Sequence, residues 1–118
     1  MRNLRWLAVM AFALCAPGSA FAANYAPIDC ARAYTLADRS ICRNYSLGQA
    51  EARMATLFGI ATALVAMGQR GDIEDAQAQW LKRREVCGRN VACLRRAYDA
   101  RIRQLDKVID TIAAHGPY

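Results

Sequence analysis

Residues 80–105 read WLKRREVCGRNVACLRRAYDARIRQL, and their spacing decides the fold. After Asn90 the apolar side chains Val91, Leu94, Tyr98, Ile102, Leu105, Ile109 and Ile112 recur every three or four positions. That is the stripe of an amphipathic helix, close enough to a heptad repeat to pack lengthwise against neighbours. His115-Gly116-Pro117 supplies its stop. Upstream, Ile73, Ala76, Trp80, Leu81 and Cys87 form the inward face of a preceding helix, whose expected start is the acidic cluster Asp72, Glu74 and Asp75. Carboxylates suit the positive end of a helix dipole. Between the two helices stands Gly88-Arg89-Asn90, bracketed by Cys87 and Cys93.

Working outward toward the N-terminus, the period stays helical, and no run alternates apolar with polar residues as a half-buried strand does. A helix is expected from Ser46, with Gln49 as its polar partner, to about Met67, where Gly68 and Gly71 stop it. Leu47, Ala50, Met54, Leu57, Ala61 and Leu64 form its inward face. From residue 57 to residue 67 only Thr62 is polar, so this helix needs cover on nearly every side. A central position in the bundle supplies it, and a protein contact or homodimer surface is the alternative. A short first helix opens at Thr35, with Asp38 completing a capping box, and ends near Arg43. Residues 24–28 read as an extended lead-in.

The first 22 residues have the form of an export signal. Arg2 and Arg5 give a positive start, residues 6–16 are apolar, and Ala20-Phe21-Ala22 is a small-x-small cleavage site. Pro17-Gly18-Ser19 interrupts the apolar run well short of the roughly 20 residues that span a bilayer. The expected mature chain, residues 23–118, is one domain that does not span a membrane and works in the periplasm or outside the cell. It keeps 96 residues, with 14 basic and 10 acidic side chains, a net charge of +4. A chain of this size buries only about 60–65% of its unfolded surface, so covalent support is expected.

Cleavage also removes Cys15, after Leu14, and leaves Cys30, Cys42, Cys87 and Cys93. Four cysteines in an exported chain point to two disulfides. A four-thiolate zinc site is disfavoured, because neither pair has the short ligand spacing of zinc knuckles. The local pairs Cys30 with Cys42 and Cys87 with Cys93 are favoured, since each pins a helix end, and a crossed pairing joining the two halves is the alternative. The expected architecture is all-α: a small disulfide-stapled helical bundle of one short and three longer helices.

One family shares a set of these positions. Asp29-Cys30, Ser40-Ile41-Cys42, Trp80-Leu81-x-x-Arg84-x-x-Cys87 and Cys93-Leu94-x-x-x-Tyr98-x-x-Arg101-Ile102-x-x-Leu105 together resemble the LprI-like lysozyme-inhibitor N-terminal domain of bacterial exported proteins, over about residues 29–106. The resemblance implies an exported helical domain of the bacterial envelope that inhibits lysozyme, with Arg84 as part of the shared string. After Cys42 the family tends to run acidic-Pro-x-Leu and then Leu-Asp, whereas this chain has Arg43-Asn44-Tyr45-Ser46-Leu47 and places Glu51 near the Asp position. The fold expectation survives that departure, and no particular binding surface is carried over.

The residues point away from catalysis, and no cofactor or metal is expected. His115, the only histidine, stands near the C-terminus with no nucleophile beside it. Asp72 and Asp75 are explained as dipole partners, and no glycine-rich phosphate loop appears. Trp80 and Tyr98 read as core aromatics with polar tips near the surface. Charge is the strongest polarisation: residues 82–96 carry Lys82, Arg83, Arg84, Arg89, Arg95 and Arg96 against Glu85 alone, a local +5.

A solvated basic face accounts for that charge in ordinary terms. The functional reading makes Arg83, Arg84, Arg89, Arg95 and Arg96 partner-binding, with Arg84 orienting the bend through a salt bridge. Animal lysozymes are themselves basic, so contact would be local, with Arg89 projected toward the two carboxyl groups of a glycosidase cleft. A binding module for anionic envelope material, such as peptidoglycan, acidic lipid or a periplasmic protein, is the alternative. An immunity-type inhibitor of a delivered wall-degrading enzyme is physically close to the first reading. Nucleic acid is disfavoured, since no aromatic platform accompanies the arginines.

Overall fold

A computed structural model describes residues 27–115. The proposed export signal, with Cys15 and the cleavage site, lies outside the described residues, as do Gly116 and Pro117 of the expected stop. The described chain forms a 3-10 turn, Cys30–Arg32, and four helices: α1 Leu36–Arg43, α2 Tyr45–Ala63, α3 Met67–Val86 and α4 Val91–Ala114. It is all-α, with one short and three longer helices, and contains both local disulfides, Cys30–Cys42 and Cys87–Cys93.

Helices α2, α3 and α4 run up, down and up. The sense is fixed by side-chain pairs: Ser46 and Glu51 of α2 meet Arg95 and Tyr98 of α4 in the same order, whereas Met54 of α2 meets Gln77 of α3 and Thr62 accepts from Arg70. Helix α1 packs across the lower end. Its N-cap is Thr35, whose hydroxyl accepts from the Asp38 N–H at 3.0 Å.

Two boundaries differ from the expected ones. The second helix begins not at Ser46 but just after Asn44, which ends α1 and caps α2 at once: its N–H donates to Ile41 O and its Oδ1 accepts from Leu47 N–H at 3.1 Å. Ser46 instead donates its hydroxyl proton to that same Oδ1. One capped residue turns the chain, so no loop is needed.

The second difference is larger. Helix α2 stops at Ala63, and Gly68 and Gly71 lie inside α3. The break comes at residues 64–66, where Ala66 is extended with ψ 163°. What holds it is Arg70, whose Nε donates to Thr62 O at 2.8 Å and whose Nη2 donates to Val65 O at 3.5 Å. Carbonyls at a helix end lack intrahelical donors, and a guanidinium supplies two. Two interior glycines cost α3 about 0.5–1 kcal/mol each, a cost the packed remainder of the helix absorbs. Asp72, Glu74 and Asp75 consequently sit beyond the first turn, which contains no acid.

The core is a single cluster of Ile41, Leu47, Met54, Phe58, Ala61, Ile73, Trp80, Leu94, Tyr98, Ile102 and Leu105, with Ala37 beneath. On α2 the buried stripe is Leu47, Glu51, Met54, Phe58 and Ala61, a small rotation from the expected face. Phe58 goes in, while Leu64 is 51% exposed.

Candidate functional site

Helix α3 ends in Arg84-Glu85-Val86 with Cys87 as its C-cap, and the heptad phase that buries Ile73, Gln77 and Trp80 also buries Arg84. The long stem of arginine lies along apolar surface easily, but its charge needs partners there. Three carboxylates provide them: Nη2 meets Asp38 Oδ1 at 2.8 Å and Glu85 Oε1 at 2.7 Å, and Nη1 lies 3.6 Å from Glu51 Oε2. Nη1 also donates to the Tyr98 hydroxyl at 3.3 Å, and that hydroxyl donates to Glu51 Oε2. The guanidinium carbon stands 5.7 Å from the Trp80 ring centroid, within cation–π range. Trp80 and Tyr98 meet edge to face at 5.1 Å. The network thus ties α1, α2, α3 and α4 together.

Burial sets the electrostatics. It raises the Glu51 carboxyl above its ordinary value of 4.5, outweighing the Tyr98 hydrogen bond and the Arg84 charge, which both lower it. Burial and the adjacent Glu51 push the Tyr98 phenol far up. Burial pulls Arg84 down, but the Tyr98 oxygen, Glu85 and Glu51 together hold it above its ordinary value. A second buried cation, Arg101, donates its Nε to Gln77 Oε1 at 2.7 Å, and the Gln77 amide points to Met54 Sδ.

Arg84 therefore turns inward, at 4% exposure, and corrects its expected place on a partner-binding surface. It forms the salt bridges that brace the bend. The other predicted partner residues, Arg83, Arg89, Arg95 and Arg96, are exposed, as is Lys82. Arg95 reaches down to the Ser46 hydroxyl at 2.7 Å. Arg89 occupies the tip of the bend and has no side-chain hydrogen bond or ion pair among the described residues. Gly88 makes the reversal with φ +53°, a conformation costly for side chains with a Cβ. Asn90 then caps α4 by accepting from Cys93 N–H at 3.0 Å. The Cys87–Cys93 bond closes this loop at a Cα separation of 5.5 Å. Beside it, Val86 is 87% exposed and Val91 is 37% exposed. The bend thus presents cations around a small apolar tip.

Sequence reasoning missed Glu51, Gln77 and Arg101 as buried groups. A signal existed: Glu51 lies four residues after Leu47 and three before Met54, and Arg101 lies three after Tyr98, so each polar residue falls in phase with the apolar stripe. Tyr98 also differs from expectation, because its hydroxyl is interior rather than near the surface. Asp72 and Asp75 are exposed on α3, and His115 holds Thr111 O through Nδ1 at 2.6 Å. Among the described residues no group of histidine, cysteine and carboxylate side chains has metal-binding geometry, and no helix is long and apolar enough to cross a membrane. No family model, curated protein or solved structure matches the chain.

Proposed function

We propose that this chain is an exported bacterial protein that inhibits a peptidoglycan-cleaving glycosidase, with Arg89 as the residue that enters the cleft. The observation that carries the reading is an exposed arginine at the tip of a disulfide-closed bend, on a base stiffened by the buried Arg84 network. Two disulfides suit an oxidising compartment, which supports export. The LprI-like resemblance of residues 29–106 supports the target class.

The physics favours a local contact. Ordering a flexible arginine costs about 0.5–1.5 kcal/mol on binding, and the closed loop removes part of that cost beforehand. Glycosidase clefts hold two carboxyl groups, about 5–9.5 Å apart according to mechanism. A guanidinium placed between them forms charge-assisted hydrogen bonds in a site shielded from water and occupies the path of the sugar. Val86 and Val91 add apolar contact, which tolerates salt and offsets the long-range repulsion between two basic proteins.

The test is clearance of a cell-wall suspension by lysozyme in the presence of oxidised protein lacking residues 1–22. Arg89→Ala is expected to weaken inhibition at least about tenfold, the loss of roughly one charge-assisted hydrogen bond, while Lys107→Ala, on the exposed side of α4, leaves it unchanged. Undiminished inhibition by Arg89→Ala removes this role from Arg89. An absence of inhibition by the unmodified protein removes the whole reading.

The five exposed cations of residues 82–96 favour a second reading, a binding module for anionic envelope material. Retention on purified peptidoglycan that falls steeply between about 0.05 and 0.5 M salt supports it, and retention indifferent to salt contradicts it.

A further inference from the structure

The end of the bundle opposite the bend carries a group of exposed apolar side chains, and its charge is reversed. Ile60, Leu64 and Met67 are 41%, 51% and 82% exposed. Beside them Ala63, Leu64, Val65, Ala66, Gln69 and Ile112 line a depression of about 360 Å³. Residues 58–75 and 106–115, which form this end, hold five carboxylates, Asp72, Glu74, Asp75, Asp106 and Asp110, against Arg70 and Lys107. Arg70 is committed to the α2 carbonyls. The bend at the other end, some 30 Å away along α3 at 1.5 Å per residue, has a net +5 over residues 82–96, and its apolar tip is Val86.

We infer that the two ends fit each other, and that the protein associates head to tail, the Val86–Arg89 bend of one copy seated on the Ile60–Leu64–Met67 end of the next. Charge selects this geometry. A symmetric contact through the apolar end opposes two net-acidic clusters, in which Asp106 is already paired with Arg53, and one through the bend opposes two cationic clusters, whereas unlike ends attract. Val86 is small enough to enter the depression, and Asp72, Asp75 and Asp110, all exposed, are the carboxylates this end offers to Arg89. A head-to-tail contact leaves one free end of each kind, so association propagates into short chains or a ring rather than stopping at a symmetric dimer. The inference does not rest on glycosidase inhibition. It does share Arg89 with that reading, so association hides the bend from other partners.

The test is sedimentation velocity of the oxidised protein without residues 1–22, at rising concentration and at about 0.05 M and about 0.5 M salt, where charges are screened within a few ångströms. The expected result is species larger than a dimer at low salt, with association at least about tenfold weaker at high salt. Met67→Asp, which disables one end, and Arg89→Asp, which disables the other, are each expected to be monomeric, with circular dichroism and melting temperature unchanged because both positions are exposed. Mixed in equal amounts they are expected to form a dimer and nothing larger, since each supplies the intact end the other lacks. A monomer under every condition overturns the inference. So does continued association of Arg89→Asp alone, which means that the apolar ends meet each other, or a mixture that stays monomeric.

Discussion

The chain reverses at both ends of the α2–α3–α4 bundle, and the two reversals use different chemistry. At the lower end, residues 87–90 are held by a disulfide, a left-handed glycine and an Asn90 cap, above a guanidinium ringed by three carboxylates. At the upper end, residues 64–66 have no covalent link and no side-chain N-cap for α3, and are held chiefly by Arg70 reaching back over the break. One end is covalently closed and cationic, with both Arg84 Nη atoms paired and its Nε left without a partner inside. The other has no covalent closure and leaves Ile60, Leu64 and Met67 in water. A stiff end suits presentation of a side chain to a cleft, whereas an apolar end suits being covered.

Removing the charge beneath the rigid end tests this contrast most severely. Arg84→Ala is expected to lower stability by about 3–5 kcal/mol, because it removes the buried guanidinium that pairs with Asp38 and Glu51, and urea denaturation measures it. A loss under 1 kcal/mol means that the network is incidental and the disulfide alone stiffens the bend. Next in size, Cys87→Ser with Cys93→Ser is expected to cost about 2 kcal/mol, and the equivalent change at Cys30 and Cys42 about 3 kcal/mol, since the longer loop constrains the unfolded chain more. Only the first pair is expected to lower inhibition beyond its effect on stability. An equal drop from both pairs implies that the bend has no special part in binding.

The sign of a pH effect offers a finer probe. The folded carboxyl of Glu51 lies above its ordinary value of 4.5, so the folded state holds the proton more tightly than the unfolded one. That contribution to stability is fully present below 4.5 and is lost as pH rises through the folded value. Denaturation series of the wild type and Glu51→Gln are expected to converge in acid and to separate as pH climbs from 4.5, with the wild type falling relative to the variant. The opposite separation means that the Arg84 charge, rather than burial, governs Glu51. Smallest of all, Gly71→Ala in the upper part of α3 is expected to stabilise by about 0.5–1 kcal/mol, because a helical alanine has less backbone freedom to lose and an added Cβ there meets nothing within 4 Å. Destabilisation on thermal melting contradicts a continuous α3 through that position.

Helix content and the number of long helices were legible in residue order, and the local disulfide pairing was favoured there, with a crossed pairing left open until the helices packed. Each depends on spacing along the chain: an apolar period near 3.6 residues, and cysteines six and twelve residues apart whose closure needs only short loops. Legibility failed at residues 64–71, where Gly68 and Gly71 are ordinary stop signals and the real break is fixed by an arginine returning to carbonyls five and eight residues behind it. It failed also for Arg84, which any charge count places in water. Its burial depends on Asp38 and Glu51, 46 and 33 residues away, arriving beside it when α1, α2 and α3 pack together.

By itself, then, the sequence determined an all-α chain with four cysteines for two disulfides and a cationic segment at residues 82–96, since local periodicity, cysteine number and charge are read along the chain. Tertiary structure alone decided which of those cations faces solvent and which is interior, where the second helix ends, and that the acidic and cationic clusters stand at opposite ends. Those outcomes depend on groups remote in sequence sharing a low-dielectric interior, where a charge is stable only if its partners come with it.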